Sequence, residues 1–340
     1  MSVASTGSQP FAWFGGTLAT DLTDVTNDPS ALDTSGWWAV CVTYEGAATF
    51  ARFANVRPAP MPTGAWQGPA IDAWHSSLDK PAYISAVTRI KEHIAAGEIY
   101  QGNVCRVLTA ALPDADRADT AGLASLLARG NPAPYAGVIN LPQIGVQVVT
   151  ASPELYLQRT GAHIASRPIK GTAVTQEHML EKDIAENIMI VDLVRNDLSA
   201  VCEPGSVDVP DVVVPESHPG LVHLVSTVTG TLRSGVGWSD MFVATFPPGS
   251  VTGCPKPRAV NLLAQVENGP RGPYCGAIGW VDADTKRAAL AVGIRTFWIA
   301  QGRLHFGTGA GITAGSDPVG EWEETELKAH NLLNVASGQC

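Results

Sequence analysis

Four carboxylates stand in two pairs at helical spacing. Asp183 and Glu186 lie three residues apart in EKDIAENIMIVDLVRNDLSAV (181–201), the longest helical pattern in the chain. Glu321 and Glu324 repeat the spacing near the C-terminus, with Lys328 one turn further. Residues so spaced project from one side of a helix. Carboxylates converging from two helices suit a hard divalent cation such as Mg²⁺, which takes oxygen ligands and keeps some waters. Acids near helix N-termini also complement the macrodipole, and spacing alone does not separate the two uses.

A lysine and a glutamate form the second candidate. SRPIKGT (166–172) puts Lys170 at the end of a strand-like segment, in a chain with only 22 Lys and Arg against 32 Asp and Glu. Glu154, in SPEL (152–155), follows another strand-like segment. Adjacent antiparallel strands would bring the two side chains close. An amine is a nucleophile only after it loses its proton, which desolvation or a nearby cation promotes. A carboxylic acid beside it can protonate a leaving hydroxyl. A surface salt bridge, worth little, uses the same two residue types.

Two glycine-bearing segments and two polar residues complete the set. FPPGSVTGCPKPRAV (246–260) combines Gly249 and Gly253 with Pro255 at the start of a helix-like run. Free N–H groups at such a start bind carboxylates or phosphates, and a tight turn needs the same glycines. The glycine spacing is not that of a P-loop. GTGAGI (307–312), with Gly309 and Gly311, either lets the backbone approach an anion or simply turns the chain. Arg295, in GIRTF, sits inside an otherwise apolar strand pattern, where a guanidinium wants a carboxylate from a substrate or from the fold. His223, in LVHLVS, suits a satisfied core position as well as a catalytic one.

The elements that must position these residues follow from periodicity. WWAVCVTYEGAATFARF (37–53) reads as a hairpin around a Glu-Gly turn. A Pro- and Gly-rich stretch from Arg57 to Pro69 reads as a linker, which divides a strand-rich region (1–70) from a catalytic domain (71–340). DKPAYISAVTRIKEHIAAGEIYQ gives a helix with Ile84, Val87, Ile90 and Ile94 on one face. GVQVVTAS, LYLQR and HIASRPI read as successive strands, and GTAVTQEH as a loop. LVHLVSTVTGTLR, GAIGWVD and AVGIRTFWIA read as later strands. Helices are predicted from Pro255 to about Glu267 and from Glu321 onward. Short turns between neighbouring strands favour an α+β fold, with antiparallel sheets packed together and flanked by helices.

Composition narrows the function. Hydrophobic residues make up 45% of 340, enough for a large core. The net charge of −10, without a long basic run, argues against nucleic-acid binding. No apolar run is long enough to span a bilayer. The N-terminus, MSVASTGSQP, lacks the features of a signal peptide and reads as a frayed tail. Six scattered cysteines, without a CxxC pair, fit reduced thiols in a cytoplasm.

Together these stretches resemble the chorismate-utilising enzymes: anthranilate, aminodeoxychorismate, isochorismate and salicylate synthases. The resemblance runs from about Tyr83 to Leu333. It is carried, in order, by GEIYQGN, NPAPY, SPELYL, RPIKGT, KDIAENIMIVDLVRND, HLVSTV, FPPGSVTGCPK, RGPYCGAIG, IRT, GAGI, SDP and EWEET with Lys328. It implies Mg²⁺ between two helices, with Glu186 and Glu324 as direct ligands and Asp183 and Glu321 holding waters or orienting ligands. It implies that Arg295 and Tyr274 grip the enolpyruvyl carboxylate and that Gly309 and Gly311 offer backbone N–H groups. Thr252, Thr172, His223 and Lys328 would line the pocket.

Two positions separate the branches of the family. Enzymes that add water to chorismate usually carry a lysine base where this chain has Gln101, and glutamine cannot deprotonate water. Anthranilate synthases usually have a small residue where this chain has Lys170. PIKGT is similar to the aminodeoxychorismate synthases, which implies lysine attack on C2 of chorismate with Glu154 as general acid and base. Nothing resembles a glutamine amidotransferase, which implies a separate subunit supplying ammonia. The missing Leu-Leu-Glu-Ser-like stretch implies no tight regulatory tryptophan site. Pro248, Cys254, Gly315 and Gly102 depart from the usual family residues.

Overall fold

The computed structural model describes residues 9–173, 175, 181–218 and 221–338. All but the last two residues of the expected frayed tail, and Cys340, lie outside the described residues. Strands β1 (Phe11–Phe14), β2 (Thr17–Thr26), β3 (Trp37–Val42), β4 (Ala48–Pro58) and β5 (His75–Ser76) precede helix α1 (Lys80–Ala95). Strand β6 (Gln101–Ala111) and helix α2 (Thr120–Gly130) follow. Next come β7 (Tyr135–Leu141), β8 (Val146–Ser152), β9 (Leu155–Thr160), β10 (His163–Arg167) and β11 (Ile169–Ala173). Helix α3 (Glu181–Ser199), β12 (Asp208–His218), β13 (Leu221–Thr231), α4 (Trp238–Thr245), β14 (Gly253–Cys254) and α5 (Lys256–Val266) come next. The chain closes with β15 (Ala277–Asp282), β16 (Arg287–Val292), β17 (Thr296–Ala300), β18 (Arg303–Ile312) and α6 (Pro318–Ala336).

The strand pairings are antiparallel and link into one ribbon. It runs β12–β13–β10–β9–β16–β15–β3–β4 and then β2–β1–β7–β8–β17–β18–β6–β14. Strand β11 joins the first end through β13. This is the expected α+β architecture, and the ribbon curls until its ends approach. The hairpin forms as read, from Trp37↔Phe53 to Val42↔Ala48. Strand β3 also pairs with β15, so strands on both sides of residue 70 share hydrogen bonds.

Helices cover the outer face of the closing end. Asp79 caps α1 through the Ala82 N–H, and Pro81 sits in the first turn. Its buried stripe is Tyr83, Ala86, Val87 and Ile90, so the ring of Tyr83 takes the place expected for Ile84. That stripe packs with Leu262 and Leu263 of α5 against Val104, Ala310 and Ile312 of β6 and β18. Helix α6 starts at Pro318, one turn earlier than read, because Asp317 caps it through the Gly320 N–H.

Several sequence expectations change. AVGIRTFWIA is two strands, broken at Gly293–Arg295, and Arg295 adopts a left-handed φ of +50°. GTGAGI is the C-terminal part of β18, paired residue by residue with β6, and not a turn. The expected loop GTAVTQEH begins as strand β11; the rest of it, apart from Thr175, lies outside the described residues. Strand β12 carries Pro210 and Pro215, which hide it in the sequence; it lies at the end of the ribbon, paired with β13, and a strand at an edge tolerates proline.

Candidate active site

The two ends of the ribbon meet around Gly311. A Cβ there would lie 2.5 Å from Gln101 Nε2, 3.2 Å from Lys170 Nζ and 3.6 Å from Glu186 Oε2. The missing side chain is thus the space that three polar groups share. Gln101 comes from β6, Lys170 from β11 and Glu186 from α3, so neither end of the ribbon makes this point alone. Gln101 is buried, and its Oε1 has no hydrogen-bond partner among the described residues.

Local structure fixes Lys170. Gly171, which follows it, has φ +86°, a conformation that side chains disfavour. A Cβ at Gly171 would also meet Asp183 Cβ at 2.8 Å and Leu224 Cδ1 at 3.0 Å. Glycine therefore lets β11 bend and lets α3 come close. Asn187 ties them together: its side-chain amide donates to the carbonyls of Leu224 (2.9 Å) and Lys170 (3.4 Å). Sequence reasoning missed Asn187. Its signal was an amide inside an otherwise helical, partly apolar stretch, which must find partners when buried.

Glu154 sits beside this point and is only 3% exposed. The Ile169 N–H donates to its Oε1 at 3.4 Å. Burial pushes its carboxyl up to about 7, against the opposing pulls of a Ser250 hydrogen bond, the Lys170 charge and the Ile169 N–H. Glu154 thus lies near enough to Lys170 to feel its charge. A carboxyl poised near neutrality can hold its proton and can also give it up.

The acidic helix faces are less tightly gathered. Glu186 reaches the Gly311 space, and the Cβ of Asp183 packs at Gly171. Glu321, in the first turn of α6, is buried, whereas Glu324 is half-exposed and pairs with Lys328 at 2.6 Å. Both glutamates lie near enough to Tyr83 to reinforce the upward shift that burial gives its hydroxyl. Among the described residues, no three His, Cys, Asp or Glu side chains close on one point as a full metal cage would. All four donors are carboxylates, the right chemistry for a hard cation that also takes water and substrate oxygens.

Other expected residues divide. Lys328 donates to the Gly309 carbonyl at 3.1 Å, which ties α6 to the glycine strand. The half-buried Arg295 side chain has no hydrogen bond or ion pair among the described residues, and burial lowers its pKa. A guanidinium in that state suits a carboxylate ligand. His223 is buried on β13, opposite Thr172 and Glu216; for Thr172 the strand register alone is described. Thr252 is fully buried with its hydroxyl turned onto the Gly249 carbonyl, so it holds its own turn. The Tyr274 ring is buried in the core over Gly307, where a Cβ would meet it at 2.0 Å. Arg271, also missed, is fully buried. It pairs with Glu267 at 2.5 Å and donates to the carbonyls of Val251 and Asn103, pinning that turn to β6.

The sequence pattern of the chorismate binding enzymes matches residues 38–334, nearly the whole described chain. The chain belongs to the chorismate-binding enzyme family. Among relatives of this family member, aminodeoxychorismate synthase component 1 of Klebsiella aerogenes is 36% identical over 274 residues, 77% of this chain and 59% of the relative. Anthranilate synthase component 1 of Streptomyces coelicolor is 37% identical over 291 residues, 82% of this chain and 55% of the relative. The chain thus spans little more than half the length of these two relatives. Anthranilate synthase component I of Streptococcus pneumoniae superposes with a TM-score of 0.78 at 22% identity, covering 98% of this chain and 93% of that one. The menaquinone-specific isochorismate synthase of Escherichia coli gives 0.77 at 17% identity, covering 98% and 90%. These two establish the shared fold. No helix among the described residues is long and apolar enough to cross a membrane.

Proposed function

We propose that this chorismate-binding enzyme is the chorismate subunit of an aminodeoxychorismate synthase. It would convert chorismate and ammonia to 4-amino-4-deoxychorismate. One observation carries the reading: Lys170 Nζ enters the space at Gly311 with Glu154 buried beside it. In this reading the unprotonated Lys170 amine bonds to C2 of chorismate. Both conjugated ring double bonds shift by one position toward C4, and the 4-hydroxyl leaves as water with a proton from Glu154. Ammonia then bonds to C4, both double bonds return to their first positions, and Lys170 departs from C2. Glu154 takes back the proton that the new ammonium sheds. Two easier displacements replace one hard one.

Arg295 and the Gln101 Oε1, both without a partner among the described residues, would take a substrate carboxylate and accept from the incoming ammonia, respectively. Glu186 and Glu324, with Asp183 and Glu321 behind them, would hold Mg²⁺, which neutralises a substrate carboxylate when bound. A separate glutamine amidotransferase would supply ammonia in the cytoplasm. An anthranilate synthase is the second reading, because relatives of equal identity carry that name.

Incubation with chorismate, MgCl₂ and an ammonium salt at alkaline pH, with products identified by mass, separates the two. We expect aminodeoxychorismate from the wild type and none above background from Lys170→Ala. Fluorescent anthranilate with pyruvate would establish the second reading. Wild-type turnover by Lys170→Ala would remove the covalent lysine.

A further inference from the structure

Behind the candidate site lies a groove of about 650 Å³, walled by Trp74, Leu108 and Trp322. It is separate from the site. On β6, Gln101, Asn103 and Cys105 alternate with Gly102, Val104 and Arg106, so Arg106 lies on the opposite face of the strand from Gln101. On α6, Trp322, Glu326, Ala329 and Leu333 form the stripe that lines the groove. Glu321, Glu324 and Lys328 form a different stripe.

The groove has an unusual floor. The Arg106 side chain is 1% exposed, yet it is charged and reaches the groove. Its Nε donates to Thr325 Oγ1 at 3.0 Å and its Nη1 to Ser76 Oγ at 3.2 Å. The guanidinium lies over the Trp322 ring, 4.1 Å from its centroid. Its anionic partner is Glu326, whose own side chain is 54% exposed. A buried guanidinium needs a carboxylate, and here it borrows one from an exposed, rotatable side chain. Lys80 and Asp79, both exposed, stand at the rim and offset each other, which leaves Arg106 as the cation of the floor. The volume falls in the range of small-molecule pockets, and the walls are flat and apolar.

We propose that this groove is a second ligand site, for a planar aromatic monocarboxylate. The ring would lie between the two indoles, and the carboxylate would displace Glu326 from Arg106. The site is independent of which reaction the enzyme performs, and binding alone tests it.

The probe is benzoate, with benzamide as the uncharged control, titrated into the full chain and followed by tryptophan fluorescence. We expect saturable benzoate binding and benzamide weaker by about tenfold, the factor that 1.4 kcal/mol represents. Glu326→Gln removes the internal competitor, so benzoate should bind it several-fold tighter. Trp74→Ala should weaken binding, and excess chorismate should leave it unchanged. Glu326→Gln binding benzoate no better than wild type would overturn the proposal. So would displacement of benzoate by chorismate, or loss of binding in Arg295→Gln, since either would place the benzoate in the catalytic site. Loss of amination with benzoate binding intact would fault only the reading of the reaction.

Discussion

The two faces of the β6–β18 pair are built oppositely. Beside the site the outer face is filled: Val104, Ala310 and Ile312 are buried under α1 and α5, and even Gly102 is glycine where Ile90 Cγ2 would lie 3.2 Å from a Cβ; the groove at Arg106 opens further along the same face. The inner face is hollowed. Gly307, Gly309 and Gly311 follow one another on it, and their missing side chains admit Tyr274, Cys105 and the Gln101–Lys170–Glu186 group. One strand pair thus serves as floor to a packed layer and as wall to a polar site. The outer face should govern stability, and the inner face chemistry. Substitutions on each face test that division.

The largest effect is expected at Glu154, at the edge of the inner face. Glu154→Gln removes the proton it can donate and should lower kcat by roughly 10²–10⁴, the usual worth of a general acid. The same substitution should change how stability depends on pH. Folding lifts this carboxyl from 4.5 to about 7. Between those values the folded chain keeps a proton that the unfolded chain has released. Stability is therefore fully present below about pH 4.5 and falls as pH rises to about 7, by on the order of 3 kcal/mol. Urea titrations at pH 5 and pH 8 should show that fall in wild type and less of it in Glu154→Gln. An equal fall in both would show that another group carries it.

Gly311→Ala comes next. The atoms nearest the added Cβ would be the ends of flexible side chains, Gln101, Lys170 and then Glu186. The strand should tolerate it, and stability should hardly move. The reacting groups would shift by a fraction of an ångström or more, which can cost about 10²-fold in kcat/KM. Normal turnover would show that the Gly311 space is not where substrate reacts.

The contrast between the faces also explains what the sequence made legible. Amphipathic stripes and strand alternation reveal the elements, because burial on one face leaves a period of 3.6 or 2. Helices α1 and α5 were readable for that reason, and the hairpin at 37–53 through its Glu-Gly turn. Glu154 and Lys170 could be brought near each other because a short turn joins β9 and β10, the strands that follow the one and precede the other. GTGAGI misled, since glycines inside a strand carry no local sign of the side chains that need their space. Arg295 misled likewise: apolar neighbours hid the bend that sets it between two strands. Asn187 and Arg271 act through carbonyl groups distant in sequence, so only the closed ribbon reveals them. The gathering at Gly311 joins both ends of that ribbon, and motif order pointed to it where spacing could not.

The smallest effect is expected on the outer face. Ile312 is fully buried beside Val104 and Ala310, one residue from Gly311 but on the other side of the strand. Ile312→Val deletes one methylene from a packed layer. It should lower stability by about 0.5–1.5 kcal/mol, seen as a lower urea midpoint with an unchanged slope. The remaining β-branched side chain keeps the strand conformation, so the inner face should not feel the change, and kcat/KM should stay at the wild-type value. A loss of turnover as large as that of Gly311→Ala would mean that packing on one face sets geometry on the other. The two faces would then be one mechanical unit, and the glycine wall would depend on the helices behind it as much as on its own missing side chains.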